Sequence, residues 1–425
     1  MSGRPGGAGW ARDRLALPGV TTWQPQPGQP PGPEQGYPPA GYPQPGYPQP
    51  GYPQPGYPTG PVPTPGPVPA PGPPTGPPTG ATPAVPPAPP PAPPPPPAVS
   101  APEGPPKEEA DAARAALVQL RAEVGKAVVG QSSTVTGLVI ALLVNGHVLL
   151  EGVPGVAKTL MVRALAASLD LELKRVQFTP DLMPGDVTGS LVYDARTAEF
   201  SFASGPVFTN LLLADEINRT PPKTQAALLE AMEERQVSVA GESRPLPDPF
   251  LVIATQNPIE YEGTYPLPEA QLDRFLLKLD VPLPPRADEV QVLQAHHAGF
   301  DPRDLAAAGV HPVAGASDLA TARKAVRAVQ AAPEVLGYVV DIARATRDSP
   351  SLSLGASPRG ATALLATAKA WAWLSGRDYV TPDDVKALAR PTLRHRIAVR
   401  PEAELEGVTA DAVLDSVLAA VPVPR

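Results

Sequence analysis

Residues 152–159 read Gly-Val-Pro-Gly-Val-Ala-Lys-Thr, and this stretch decides the fold. It follows a short β-like run at 147–151 and precedes an apolar segment with helical spacing from about 159 to 169. A strand, a glycine-bearing loop and a helix in this order form the first unit of a parallel sheet covered by helices. The sequence therefore predicts an α/β domain built around this loop.

The same loop carries a phosphate-binding pattern with one change, because Ala157 stands where the generic pattern has its second glycine. Gly152 and Gly155 allow consecutive N–H groups to turn inward, and the next helix offers its positive N-terminus. Lys158 would reach the β- and γ-phosphates, and the Thr159 hydroxyl would bind Mg²⁺. A simple glycine turn is the alternative, but the position between strand and helix favours phosphate binding.

Further buried-strand runs and one helix extend this unit along the chain. The strands are predicted at 171–178, 211–215, 250–255 and 275–279, the helix at 223–235, and hairpins at 187–203 and 237–247. Beyond Pro285 only helices are predicted, at about 287–298, 317–330, 334–347, 359–375, 382–390 and 410–419. We therefore expect an α/β domain over 109–284 and a smaller α-helical lid domain over 285–425.

Two carboxylates end the most apolar of these strands. Leu211–Asp215 is followed directly by Glu216, and the carboxyl ends of parallel strands lie beside the loop where ligands bind. Asp215 would hold Mg²⁺, directly or through water, and Glu216 would orient and activate the attacking water. An ordinary acidic strand end is the alternative, and the upstream phosphate loop favours the catalytic interpretation.

Three more side chains are candidates for catalysis. Asn257 ends another buried strand and would contact the attacking water or the γ-phosphate, although an asparagine before a proline is also a common turn residue. Arg274 stands before the last strand and would act as an arginine finger in a neighbouring subunit's site, or simply pair with a surface aspartate. Arg359 lies in a first helical turn, where cations are disfavoured, and would contact the γ-phosphate from the lid.

Composition sets the amino-terminal segment apart. Forty of the chain's 65 prolines lie in residues 1–110, and Gly-Tyr-Pro-Gln-Pro repeats begin at Gly41. Proline has no N–H for helix or sheet ladders, so we predict a disordered tail over 1–108. The tail would be either a solubilising spacer or a ligand for proline-recognising partners.

Charge and residue content exclude several classes of function. The net charge of −8 and the lack of a Lys/Arg stripe argue against nucleic-acid partners. No cysteine is present, which excludes thiolate metal sites and cysteine nucleophiles. The five histidines lack metal-ligand spacing and are interpreted as structural or solvated. The apolar runs are too short for membrane insertion, and a cytoplasmic protein is expected.

Taken together, these motifs resemble those of AAA+ ATPases, and more narrowly of the MoxR family, over residues 110–425. The form of the phosphate loop with Ala157 is similar to that family's loop. The other similar segments are Phe178–Gly189, Leu213–Arg219, Pro221–Gln225, Glu230–Gln236, Ala254–Pro258, Pro266–Phe275 and Ser357–Arg359.

The resemblance implies a working scheme. It implies ATP and Mg²⁺ as ligands, a homo-oligomer that is a hexameric ring, and nucleotide bound at subunit interfaces between the α/β domain and the lid. It also implies chaperone-like remodelling or metal-cofactor maturation of a partner, often one with a von Willebrand factor A domain, with the hairpins facing the pore or that partner. The residues implied in nucleotide binding are Val129 and Gly130 near adenine, then Gly152, Val153, Pro154, Gly155, Val156, Ala157, Lys158, Thr159 and Leu160.

Two other functions stay open at this point. One is a nucleotide-binding scaffold with little turnover, which the filled catalytic positions argue against. The other is a DNA-linked AAA+ motor, which the acidic charge balance argues against.

Overall fold

The computed structural model describes residues 102–258 and 263–424. The predicted tail lies almost entirely outside these residues. The first helix, α1, begins at Lys107, just before the predicted domain boundary at residue 109.

Every strand of the predicted sheet is present. The elements of this part of the chain are α1 (Lys107–Ala127), α2 (Ser132–Val144), β1 (Val148–Glu151), α3 (Lys158–Leu169), β2 (Leu173–Gln177), α4 (Pro184–Thr188), β3 (Gly189–Asp194), β4 (Glu199–Ser204), β5 (Leu211–Asp215), α5 (Pro222–Glu234), β6 (Gln236–Val239), β7 (Glu242–Pro245), β8 (Leu251–Gln256), α6 (Glu269–Leu272) and β9 (Leu277–Asp280). One 3-10 turn, Ile217–Arg219, follows β5.

The central sheet has five parallel strands in the order β2-β5-β8-β1-β9. Its two faces bury alternate residues, as a strand period of two requires. In β5, Leu211 and Leu213 pack with α1, α2 and α3, whereas Leu212 and Ala214 pack on the other side with α5. Val237 and Val239 of the β6–β7 hairpin pack in the core on that second side. The parallel order places the ends of β1, β5 and β8 at one edge, where the phosphate loop begins.

The C-terminal part is mainly helical. Its elements are α7 (Arg286–His297), α8 (Ala316–Ala328), α9 (Pro333–Arg347), β10 (Leu352–Leu354), α10 (Pro358–Leu374), α11 (Pro382–Leu393), β11 (Ala398–Val399), α12 (Pro401–Leu405) and α13 (Ala410–Ala420). The expectation of helices alone was wrong in one respect, since β10 and β11 pair as a small antiparallel ribbon. Each strand is too short to show a period in the sequence.

Helix α2 joins the two parts. It is buried from Thr134 to Leu143, and it ends at Asn145, whose φ of 60° gives the left-handed cap that the Asn-Gly pair predicts. The same hydrophobic core contains residues of the sheet, of α2 and of the C-terminal helices. None of the helices in the described residues is long and apolar enough to cross a bilayer.

Candidate functional site

The phosphate loop connects β1 to α3, as the sequence predicts. Gly155 has a φ of 87° and Ala157 a φ of 61°, so the loop alternates through left-handed backbone just before α3 begins at Lys158. A Cβ on Gly152 would lie 2.6 Å from the carbonyl oxygen of Val281, which explains the glycine there. Successive turns of this kind form a concave nest of N–H groups that suits an anion. The Lys158 ammonium donates to the Gly152 carbonyl at 2.6 Å.

The two carboxylates lie at the same edge as this loop. Asp215 is buried, and its Oδ2 lies 3.4 Å from the Thr159 hydroxyl. Its Oδ1 accepts a hydrogen bond of 3.0 Å from the Thr255 hydroxyl, which itself accepts the Glu216 N–H at 2.9 Å. Glu216 has a φ of 57°, a left-handed conformation that is uncommon for a residue other than glycine.

The sequence analysis missed four residues that contact these carboxylates, and one of them, Arg219, has its Nε 3.2 Å from Oε2 of Glu216. Thr255 connects Asp215 to the backbone of Glu216, as described above. Arg175 and Gln177, on the neighbouring strand β2, bind Asp215 and Glu216 at 2.6 Å each. Arg175 and Gln177 are two residues apart on an edge strand, and this period could have suggested that both side chains face the site.

A cavity of about 490 Å³ opens beside the phosphate loop. Its walls come from the α1–α2 connection, from the loop itself and from α7, and its apolar lining includes Val128, Val129, Val156 and Leu160. Gly130 turns the chain next to it with a φ of 79°, and a Cβ there would clash with an Asp288 carboxylate oxygen. The size and the apolar lining suit a nucleobase, and Val129 is among the lining residues, but the role of Val129 and Gly130 near adenine stays a prediction.

Asn257 follows β8 at the same edge and is buried. Val153 and Pro154 complete the loop between Gly152 and Gly155. The candidate residues at this edge are thus brought together by three neighbouring strands, β5, β8 and β1.

The two candidate arginines lie elsewhere. Arg274 precedes β9 and Arg359 begins α10, and both pair with Glu233 at the end of α5, at 2.6 and 3.2 Å. The hydrogen bond from Arg274 lowers the pKa of the Glu233 carboxyl. This cluster is at the start of β1 and β9, whereas the phosphate loop is at their end. Helix α10 therefore holds Arg359 at the edge of the sheet opposite the phosphate loop of its own chain, and its contact with a γ-phosphate stays a prediction.

A third arginine, Arg396, lies at this edge of the sheet, opposite the phosphate loop. Arg396 is buried and binds Asp273 at 2.7 Å, and Asp273 also lies 3.8 Å from Arg359. The adjacent His395 is buried, and burial followed by the charge of Arg396 lowers its pKa well below the usual value. His147 is likewise buried at the start of β1, where its Nε2–H donates to the Met232 carbonyl and its Nδ1 accepts the Val252 N–H. Both histidines have the structural roles that the sequence analysis predicts.

The residues present fit Mg²⁺ bound together with phosphate. Thr159 and Asp215 would hold the ion, Asp215 directly or through water, with phosphates and water completing an octahedral shell. No group of three or more His, Asp or Glu side chains within the described ranges could hold a metal without such help. The nest of N–H groups and Lys158 provide the matching site for the phosphates.

Comparison with known proteins agrees with this geometry. Residues 147–277 match the ATPase family associated with various cellular activities (AAA), and residues 344–417 match the AAA lid domain. A protein called YeaC from Bacillus subtilis is 50% identical over 71% of this chain and 92% of its own length. Chaperone MoxR1 from Mycobacterium tuberculosis is 42% identical over 71% of this chain and 81% of its own length.

A solved structure has the same fold. It is a crystal structure described as "a putative ATPase" from Cytophaga hutchinsonii, with 39% identity and a TM-score of 0.69. The match covers 75% of this chain and 98% of that one. The phosphate loop, the paired carboxylates, the helical lid and these relatives together place this chain in the MoxR family of AAA+ ATPases.

Proposed function

We propose that this chain binds ATP with Mg²⁺ at the phosphate loop and hydrolyses it to ADP and phosphate. The observation that carries the proposal is the 3.4 Å approach of the Thr159 hydroxyl to the Asp215 carboxylate. It joins the phosphate loop to the acidic end of β5. Such a pair is what a phosphate-bound magnesium ion requires from the protein.

Each residue of this edge has a role in the proposed reaction. Lys158 and the loop N–H groups would hold the phosphates, and Thr159 and Asp215 would hold Mg²⁺, which neutralises charge on the phosphate oxygens. Glu216 would accept a proton from the attacking water while Asn257 orients it. The water oxygen bonds to the γ-phosphorus as the bond to the bridging oxygen breaks.

The arginines support a proposal about assembly. Arg274 and Arg359 face away from their own phosphate loop, so each would reach a nucleotide only in a neighbouring subunit. We therefore propose a head-to-tail homo-oligomer, with six subunits as the family resemblance implies, in which both arginines act in trans. An arginine supplied in this way is worth roughly 10³–10⁵ in turnover.

The β3–β4 hairpin supports a role in handling another protein. Its side chains Leu191, Val192, Tyr193 and Phe200 are large, apolar and exposed, and the rings of Tyr193 and Phe200 lie 5.1 Å apart. Exposed apolar side chains in a group mark contact surfaces. We propose that this hairpin contacts the client or a partner with a von Willebrand factor A domain, whose remodelling or maturation the ATPase serves.

ATP turnover by purified variants tests the central proposal. Glu216→Gln is expected to bind ATP but to lose at least about 100-fold in turnover, the usual share of a general base. Lys158→Ala is expected to lose binding as well. Glu404→Gln, in the exposed and remote helix α12, is the matched control and should behave as wild type. Binding without turnover in the wild-type protein would favour a nucleotide-binding scaffold instead.

A Phe200→Ser variant tests the hairpin separately. It should keep basal ATP turnover, because the hairpin is remote from the phosphate loop, and lose any stimulation by a purified partner. Unchanged stimulation would remove the hairpin from the proposal.

A further inference from the structure

Two side chains of β2 hold the two carboxylates that end β5. The Nε of Arg175 lies 2.6 Å from Oδ2 of Asp215, and the Nε2 of Gln177 lies 2.6 Å from Oε2 of Glu216. The Nη2 of Arg175 also donates to Oε1 of Gln177 at 3.1 Å. Arg175, Gln177 and both carboxylates thus form one connected network at the edge of the sheet, and Arg219 joins it with its Nε 3.2 Å from the same Oε2 of Glu216.

The contact with Asp215 occupies the oxygen that a metal ion would need. Oδ2 of Asp215 is the atom that approaches the Thr159 hydroxyl, and the same Oδ2 accepts the Arg175 guanidinium. The other oxygen, Oδ1, is already bound by Thr255. A magnesium ion requires ligand oxygens at about 2.0–2.1 Å in a strict octahedral arrangement, and its charge repels a guanidinium on the same oxygen.

The burial of the two partners explains which one can move. The side chain of Asp215 is only 8% exposed, so its charge needs a partner in the absence of a metal ion. The side chain of Arg175 is 54% exposed, so its guanidinium can return to water at little penalty. The aspartate is therefore fixed and the arginine is the replaceable partner.

We propose that Arg175 is the resident counter-ion of Asp215 in the nucleotide-free protein, and that Mg²⁺ must displace it to enter the site. The inference rests on the proposed binding of Mg²⁺ with ATP. Displacement would also break the bond from Arg175 to Gln177, and so change how Gln177 holds Glu216. Arg175 is in this sense a positioning residue that makes the arrangement of the carboxylates depend on metal loading.

The location of β2 gives this release a structural path. The Phe178 N–H, directly after β2, donates to the carbonyl of Asp215 at 2.8 Å, and the chain continues through α4 into the exposed β3–β4 hairpin. A change at Arg175 and Gln177 therefore acts on the strand that leads to the proposed client-binding hairpin.

The test is a magnesium titration of nucleotide binding, measured with a fluorescent, slowly hydrolysed ATP analogue on the full chain. Arg175→Gln removes the competing cation, and Lys174→Gln is the matched control, because Lys174 faces the other side of the same strand and binds the Phe208 carbonyl. Arg175→Lys keeps the charge without the planar guanidinium. The circular dichroism spectrum of each variant verifies its fold.

We expect the magnesium concentration for half-maximal binding to fall about tenfold in Arg175→Gln, equivalent to about 1.4 kcal/mol. The control should match wild type, and Arg175→Lys should lie between them. Affinity for the analogue in EDTA should change less than about twofold, since only the competition with the metal is altered. In addition, the Tm of nucleotide-free Arg175→Gln should be lower than that of wild type. The increase in Tm on adding Mg²⁺ and the analogue should be larger than in wild type.

Two results would overturn the inference. An unchanged magnesium half-point in Arg175→Gln would show that no competition exists, and a higher half-point would show that Arg175 assists the metal instead. Both are distinct from failure of the proposed function, in which the wild-type protein itself would not bind the analogue with or without Mg²⁺.

Discussion

The guanidinium of Arg274 lies 2.6 Å from the carboxylate of Glu233, at the edge of the sheet opposite the phosphate loop. Glu233 also holds Arg359, so one carboxylate keeps both arginines at this edge. The cluster gives the protomer two chemically different edges. Arg274 or Arg359 would therefore contact a nucleotide at the phosphate loop only if that loop belonged to a second copy of the chain.

Mixing two inactive variants tests this arrangement. Arg274→Ala should lower turnover about 10³-fold. Its affinity for ATP should change little, because the phosphate loop of this variant is intact. Lys158→Ala should be inactive because its loop is damaged. The mixture should regain turnover, since a Lys158→Ala subunit can supply its arginine to an Arg274→Ala neighbour. Arg303→Ala, an exposed arginine, is the control, and a mixture no more active than its parts would contradict the trans role.

Thr255 is predicted to matter for both carboxylates. Thr255→Val keeps the shape but removes the hydroxyl that binds Asp215 and accepts the Glu216 N–H. An unpaired polar group in this buried position costs about 1–3 kcal/mol, so the urea midpoint should fall and turnover should drop at least about tenfold. Thr255→Ser retains the hydroxyl and should stay close to wild type. Equal behaviour of the two variants would remove Thr255 from the site.

Ala157 and Gly155 both have left-handed backbone in the phosphate loop, and we expect different effects from substituting them. Ala157→Gly relieves about 1 kcal/mol of backbone strain but adds unfolded-state entropy of similar size, so the free energy of unfolding should change by less than about 1 kcal/mol. Gly155→Ala introduces strain of about 1–2 kcal/mol at a φ of 87° and should weaken ATP binding. No atom lies within 4 Å of the position of that Cβ, so the effect would come from the backbone alone. Thermal unfolding and nucleotide titration measure both.

The buried histidines predict how stability depends on pH. Burial lowers the pKa of His147 to about 4 in the folded protein, against an ordinary value of 6.5. The unfolded chain therefore binds the proton more readily, so the stability present above pH 6.5 is lost as the pH falls toward 4. The slope should approach about 1.4 kcal/mol per pH unit for each such histidine.

Urea unfolding between pH 8 and pH 4.5 measures this dependence. His147→Gln should reduce the slope, because one of the two buried histidines no longer titrates. A slope that does not change in this variant would show that His147 is not responsible.

Much of the site follows from the sequence because its residues occur in short, continuous motifs. The loop at 152–159 and the pair Asp215–Glu216 each adjoin a strand end, and a parallel sheet brings such ends together whatever the rest of the chain does. The continuous apolar runs of β5 and β8 likewise predict strands that are buried on both faces. The assignments of these residues to catalysis and metal binding stay predictions until the variants are measured.

Arg359 and Arg175 show what local patterns do not contain. The direction in which α10 points depends on packing against α2, α9 and α11, and no spacing in its own sequence encodes it. Arg175 lies in an edge strand of mixed polarity, where a charged side chain is normally a solvent-facing residue. Its partner is 40 residues away in the chain, so only the strand order reveals the contact.

The burial of α2 has a consequence for how this ATPase can be divided. A fragment ending after β9 would uncover an apolar helix with no polar face to present to water, and it would aggregate or recruit a substitute cover. If nucleotide binding causes a movement, we therefore expect the sheet, α2 and the lid helices packed on it to move as one rigid body. Local motion is then expected in surface elements such as the β3–β4 hairpin.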